Sequence, residues 1–318
     1  MAGPKMHLLM AVMLLGAWSI PQGVSSLEPN YYAKTCPNVE EIVRKVVKEQ
    51  INRTSETIPV TIHYYFQDCI GDGADASILT RTPLSNEAVY TVVKAKEALE
   101  SVPECKGEVS CADIFTIANR DVIYMAGGPH FEVELGRFDS LPSPFSFSRK
   151  SSLHDGSSSS EMDAFLFMFA SKGLNMTDFV ALMGSHTVGH AHCKAFANRI
   201  YNFSATSPVD PTLNPQFAAH LQKLCPVNVD PSVRVPLDAV TPKVFDNQYY
   251  KNLMNGEGLL SVDQMLYSDD RTRAYVVDWA QNPQHFNDAL SAAMVKMGRI
   301  GVLSSSNGNI RTHCDKYN

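Results

Sequence analysis

The sequence lacks the features that would place a chain outside the soluble globular proteins. Beyond residue 20 no apolar run approaches the roughly 20 residues that a membrane-spanning helix needs, so no membrane span is expected. Charge of one sign is not in marked excess. The 27 Lys and Arg face 33 Asp and Glu, a formal net charge of −6, and nucleic acid is not an expected partner. There is no internal repeat, and period-two alternation is scarce, with residues 130–135 the best strand candidate. None of the seven cysteines stands in the CxxC spacing of zinc sites and dithiol redox motifs. The one low-complexity tract, residues 157–160, reads as an exposed serine loop.

What is present fits an exported globular protein. A chain of 318 residues, 44% hydrophobic and 19% charged, buries a core without help from metals or crosslinks. Lys5 and His7 precede a mostly apolar run over residues 8–20, and Val24 and Ser26 sit at −3 and −1 of a cleavage after Ser26. Residues 1–26 are therefore expected to be a secretory signal and residues 27–318 the mature domain. All seven cysteines lie in that domain, where an oxidising compartment favours pairing; seven is odd, so at least one thiol is left over. Three sequons, at Asn52, Asn175 and Asn202, have meaning only in the same context.

Helical periodicity dominates. It predicts helices over residues 38–52, 111–125, 161–172, 178–197, 217–224, 247–254, 271–281 and 285–297, an all-α pattern. The densest chemistry lies in Gly184-Ser185-His186-Thr187-Val188-Gly189-His190-Ala191-His192-Cys193. His186 and His190 are four apart, which on a helix is metal-ligand spacing. A zinc protease would carry Glu beside the first histidine, and Ser185 and Thr187 stand there instead. His190 and His192 read as polar surface. His186 has small neighbours, Gly184, Ser185 and Gly189, which would let a bulky flat group approach; one histidine so placed is how a chain offers an axial ligand to haem.

This segment resembles the proximal motif of the secreted plant haem peroxidases, the class III group. The resemblance runs from Tyr31 to Cys314 and includes Val109-Ser110-Cys111-Ala112-Asp113, Gly136-Arg137-Phe138-Asp139, Asp210-Pro211-Thr212-Leu213-Asn214, residues 245–250 and residues 258–264. It implies an all-α, two-lobed haem peroxidase fold with haem b between the lobes. It implies that His186 is the axial ligand, that Asp263 accepts the other ring N–H of His186, and that Phe66 walls the distal face. Two calcium ions are implied, one at Asp68, Gly71, Gly73, Asp75 and Ser77, the other at Thr187, Asp238, Thr241, Val244 and Asp246. The implied disulfides are Cys36–Cys105, Cys111–Cys314 and Cys193–Cys225, with Cys69 unpaired because Ala74 occupies its partner's place. Asp113 and Arg137 resemble a buried structural ion pair. The implied reaction is hydrogen-peroxide-dependent oxidation of small phenolic donors, by a secreted monomer of cell wall or vacuole.

The distal side departs from the family. His63 stands where the family has arginine, and Gln67 where it has the catalytic histidine. The family's histidine takes a proton from peroxide and returns it to the departing oxygen, which glutamine does not do. Arginine is a fixed cation, and His63 is not. The chain is also shorter before Val92, where the family places an asparagine that orients the distal histidine; Asn86 is near but out of its motif. Leu141-Pro142-Ser143-Pro144 resembles the substrate-loop sequence, although counting along the chain puts that loop near residues 153–158. Two readings follow: a peroxidase with an impaired distal pocket, acting through His63, Gln67 and Asp263, or a non-catalytic secreted haem- and calcium-binding relative. A bare scaffold without haem is disfavoured by the intact proximal motif.

Overall fold

The computed structural model describes residues 27–142 and 158–318, with the side chains of residues 158–160 excepted. The expected signal and most of the expected substrate loop lie outside the described residues, and residues 158–160 of the serine tract, expected as a loop, instead open the helix Ser158–Ser171.

Twelve α-helices account for about half of the described chain: α1 (Val39–Arg53), α2 (Thr57–Gly71), α3 (Glu87–Glu100), α4 (Cys111–Met125), α5 (Ser158–Ser171), α6 (Met176–Met183), α7 (Ala197–Ile200), α8 (Pro215–Leu224), α9 (Gln248–Met254), α10 (Ser261–Ser268), α11 (Asp270–Gln281) and α12 (Pro283–Met297). Their starts are written in the sequence. Ser110 caps α4 by accepting from the Asp113 N–H, Asn214 caps α8 ahead of Pro215, and Asn175 with Asp178 forms a capping box on α6.

The helices fall into two packed groups. In one, α1, α2 and α3 surround α4, whose residues 111–123 are all buried. In the other, α6 and α9–α12 pack together with α5 on their flank, and α12 reaches across to α2. A smaller apolar cluster around Phe196, Leu213, Leu221 and Leu259 holds the 193–260 region. The buried pair Asp113–Arg137 at 2.9 Å ties the groups, since Arg137 also donates to the Gly298 carbonyl that follows α12. Cys36–Cys105, Cys111–Cys314 and Cys193–Cys225 are bonded as the resemblance implied, and Cys69 is free and buried. No helix of the described residues is long and apolar enough to cross a membrane.

Two expectations are corrected. The single helix expected over 178–197 ends at Met183 and gives way to a 3-10 turn, Gly184–Thr187, and then to strand β1 (His190–His192). β1 pairs antiparallel with β2 (Arg234–Pro236), His190 opposite Pro236 and His192 opposite Arg234. Residues 130–135 form no strand; Leu135 makes only an isolated bridge with Glu28.

Candidate active site

The break after α6 places His186. Gly184 is pressed against Tyr250 and Phe286, where a Cβ would collide, so its small size serves core packing and not the approach of a ligand. Gly189, at φ +101°, then turns the chain into β1 beside Pro59, a conformation that suits glycine. His186 and His190 consequently share no helix face, yet both line one cavity of about 240 Å³. Ser185, Leu182 and Val188 form its wall on this side; His63, Phe66, Val60 and Ile62 of α2 form the other, and Met294 of α12 closes the back.

The proximal wall is tightly built. His186 Nδ1 lies 2.7 Å from Asp263 Oδ1, which leaves Nε2 for the cavity. Asp263 is 1% exposed, sits in the first turn of α10, and accepts two further hydrogen bonds, from Tyr249 Oη at 3.0 Å and from the Leu260 N–H at 3.1 Å. Burial works against a proton on the His186 ring, but Asp263 outweighs it and the pKa lies above the ordinary histidine value. Burial, reinforced by Asp263, keeps the Tyr249 phenol protonated.

The distal wall is one helix, α2: His63 and Phe66 line the cavity, while Gln67 is not among its lining residues and reaches it only through His63. His63, Phe66 and Gln67 fall at i, i+3 and i+4 on α2. Gln67 Nε2 donates to His63 Nε2 at 2.8 Å, an arrangement that assigns His63 the neutral Nδ1–H tautomer. Both side chains are exposed, His63 into the cavity. Burial by the surrounding walls, and then the charge of His186 opposite, push the His63 pKa below its ordinary value. Phe66 packs on Phe169 of α5, with ring centroids 6.1 Å apart. Asn86 does not reach this wall; it caps α3 by accepting from the Ala88 N–H.

Both loops expected to hold calcium are folded around their acids. Asp68 and Asp75 are buried together, and burial followed by their mutual repulsion raises the pKa of Asp68. Asp68 accepts from the N–H groups of Ala76 and Ile78, and the Ser77 N–H donates to Asp75. Gly73, at φ +136°, passes so close to Gly301 that a Cβ would stand 2.8 Å from its Cα. In the second loop Thr187 Oγ1 meets the Val244 carbonyl and Asp246, each at 3.4 Å, and Thr241 Oγ1 meets Asp238 and Asp246, each at 3.2 Å. All five expected groups are thus in one place. The second loop thus offers two carboxylates with hydroxyl and carbonyl oxygens, a set that suits a hard cation, whereas in the first Asp68, Asp75 and Ser77 meet but the Gly71 carbonyl accepts from Lys172 Nζ at 2.8 Å.

The cavity fits a cofactor held by one histidine. His186 presents a single ring nitrogen to it, the surrounding side chains are mostly apolar, and Ser185 Oγ is buried on its wall with no hydrogen-bond partner. Three cavity residues with titratable or charged side chains were not singled out as functional from the sequence: Glu56, Arg234 and His190. Arg234 lies 2.9 Å and His190 3.8 Å from Glu56, closing one side of the mouth. The exchange of helix for strand at 190 is the signal that sequence periodicity missed.

Comparison with known proteins agrees with this geometry. The peroxidase family model matches residues 43–282. This chain belongs to the plant peroxidase family. Peroxidase 50 of Arabidopsis thaliana is 43% identical over 328 aligned residues, covering 99% of this chain and 98% of its own length. Peroxidase 51 of the same plant is equally similar, and Peroxidase 73 is 44% identical over 308 residues, 92% of this chain and 93% of its own. The protein is accordingly a peroxidase, and its family implies haem.

Proposed function

We propose that this peroxidase is a secreted monomer that uses hydrogen peroxide to oxidise phenolic donors by one electron at a time, with a distal wall poorly suited to activating peroxide. The observation that carries the proposal is the contrast between His186–Asp263 at 2.7 Å, fully braced, and the His63–Gln67 pair opposite. His186, through Nε2, and Phe66 would hold haem b, which would supply the one-electron redox chemistry between peroxide and donor. Asp263 accepts the Nδ1 proton and makes the imidazole more anionic, a stronger donor to its metal.

The distal wall is left with proton transfer. Peroxide must lose a proton from one oxygen and gain one at the other before that oxygen leaves as water. Of the titratable groups on the α2 side of the cavity, Glu56 is held by Arg234 and His63 remains. Its Nε2 accepts from Gln67, and a neutral ring offers no fixed cation to polarise the O–O bond. A positioned acid–base is worth on the order of 10²–10⁴ in rate.

Two calcium ions, one in each folded loop, would brace α2 and the His186 turn. Export is supported by the N-terminal signal pattern, the three disulfides and the exposure of Asn52, Asn175 and Asn202. The His63–Gln67 bond also favours a second reading, a secreted haem- and calcium-binding protein without useful turnover. The test is the visible spectrum of the mature chain with haem and calcium. A Soret band that responds within seconds to one equivalent of hydrogen peroxide supports the enzyme. A band that stays unchanged supports the binding protein, and no band overturns both.

A further inference from the structure

The contacts that secure His186 continue past it to the surface. The His186 ring meets Tyr249 with centroids 6.3 Å apart, Tyr249 meets Tyr250 at 5.1 Å, Tyr250 meets Trp279 at 5.4 Å, and Trp279 meets Tyr275 at 5.5 Å. All four contacts lie within the range of touching aromatic rings. Tyr249, Tyr250 and Trp279 are buried, while Tyr275, on α11, is half-buried at the edge of the core.

Core packing alone explains why these rings touch. It does not explain their chemistry. Phenylalanines pack in the same cluster, Phe245 stacked on Phe286, but every ring on the path from His186 outward is tyrosine or tryptophan, the side chains that give up one electron most readily. We propose that Tyr249, Tyr250, Trp279 and Tyr275 form an electron relay through which this peroxidase oxidises, at Tyr275, phenolic donors too large to enter the cavity. The proposal rests on the haem-peroxidase reading above.

The protons on the path are arranged for it. A tyrosine that loses an electron must also lose its phenolic proton, and Tyr249 Oη already donates to the Asp263 carboxylate. Tyr250 Oη donates to the Val180 carbonyl, which is no base, so Tyr250 serves as a bridge and the electron vacancy rests on its neighbours. Tryptophan passes through a radical cation without needing a base. Tyr275 Oη accepts from Thr177 Oγ1, which leaves its own proton to solvent.

The balance closes with peroxide as the oxidant. Hydrogen peroxide takes two electrons and two protons to become two waters. Each of two phenols supplies one electron, which enters at Tyr275 and runs inward to the oxidised site, and one proton, which leaves by solvent. Each phenol is released as a phenoxyl radical. Tyr124 serves as an internal control: at 51% exposed it is more accessible than most tyrosines, but its ring contact is with His130, off the path.

The test uses the full mature chain loaded with haem and calcium. It is treated with one equivalent of hydrogen peroxide, or of peracetic acid, whose better leaving group needs less proton transfer, in the presence of a nitroso spin trap, and the adducts are mapped by mass spectrometry. The expected adduct is on Tyr275, and it falls at least tenfold in Trp279→Phe although Tyr275 is still present. Equal labelling of Tyr275 in that variant, or labelling of Tyr124 in its place, overturns the relay. A Soret band that moves without any adduct on Tyr275 also overturns it, while leaving the haem-peroxidase reading standing. A band unmoved by either oxidant fails that reading, and the relay with it. In a second measurement Tyr275→Phe, which keeps the ring, lowers the turnover of a polyethylene-glycol-tethered phenol relative to the free phenol by at least tenfold. An unchanged ratio overturns the surface donor site.

Discussion

The two walls of the cavity are built to different standards. On the proximal wall, Asp263 accepts from His186, Tyr249 and the backbone of Leu260, and Thr187, next to His186, is knit into a loop with Val244 and Asp246. On the distal wall, His63 and Gln67 have each other and little else, on one face of one helix. A side chain held from several directions has one geometry, and its replacement strands buried partners. A side chain held from one direction is exchanged at small structural cost. The difference teaches where this peroxidase has freedom to change: on the wall whose side chains are held from one direction, and not on the wall whose side chains are held from several.

The contrast breaks most visibly if the distal pair is exchanged for the family's residues. Gln67→His combined with His63→Arg should raise the second-order rate constant for hydrogen peroxide by about 10²–10⁴, measured by stopped-flow at the Soret band. No gain would mean that the distal substitutions are not what limits the reaction. The proximal wall responds in the opposite sense. Asp263→Asn removes the anionic acceptor of the His186 N–H and should weaken haem affinity or activity about 10–100-fold; a haem titration that matches wild type would show that the 2.7 Å contact is idle.

A smaller effect separates the walls by pH. The His63 pKa is lowered in the fold, first by burial, so the ring is neutral at pH 7 and its contribution to stability is lost as pH falls through that value. If His63 is the base, the peroxide rate is flat near neutrality and falls about tenfold per pH unit below a midpoint under about 6.5. His63→Leu should erase that acid limb, and a limb that survives assigns the proton to another group. The smallest effect is expected from calcium. Chelation should lower Tm by about 5–10 °C per site if calcium had stood 100-fold above its Kd. Loss from the Thr187 loop should also perturb the Soret band, whereas loss from the Asp68 loop should leave it nearly unchanged.

Much of this was legible before any coordinates. Helix positions followed from apolar spacing, α4 to the residue, because that spacing is a local signal. The partnership of His186 with Asp263 was legible only through family motifs, since 77 positions separate them and no periodicity links them. What misled was the run over 178–197. Its apolar spacing continues, but Gly184 is forced against Tyr250 and Phe286 and ends the helix, a tertiary contact that overrides local preference. The same break sets His190, exposed as the sequence reading had it, at the edge of the cavity. Glu56 and Arg234 were invisible for the same reason: their meeting depends on a two-stranded pairing that no alternation announced.

The bridge between Cys111 and Cys314 spans 203 positions and fastens the start of the central helix to the end of the chain. Synthesis runs from the N-terminus at about 5–20 residues per second, so Cys111 waits roughly 10–40 s for its partner to emerge. During that interval Cys36 and Cys105, only 69 positions apart, have both been made, and so has Cys69, which ends unpaired and buried. Maturation of this protein is therefore a contest in time. Helix α4 must be packed around Cys69 before the wrong thiol reaches Cys111, and the last residues made decide whether the first lobe stays correctly closed.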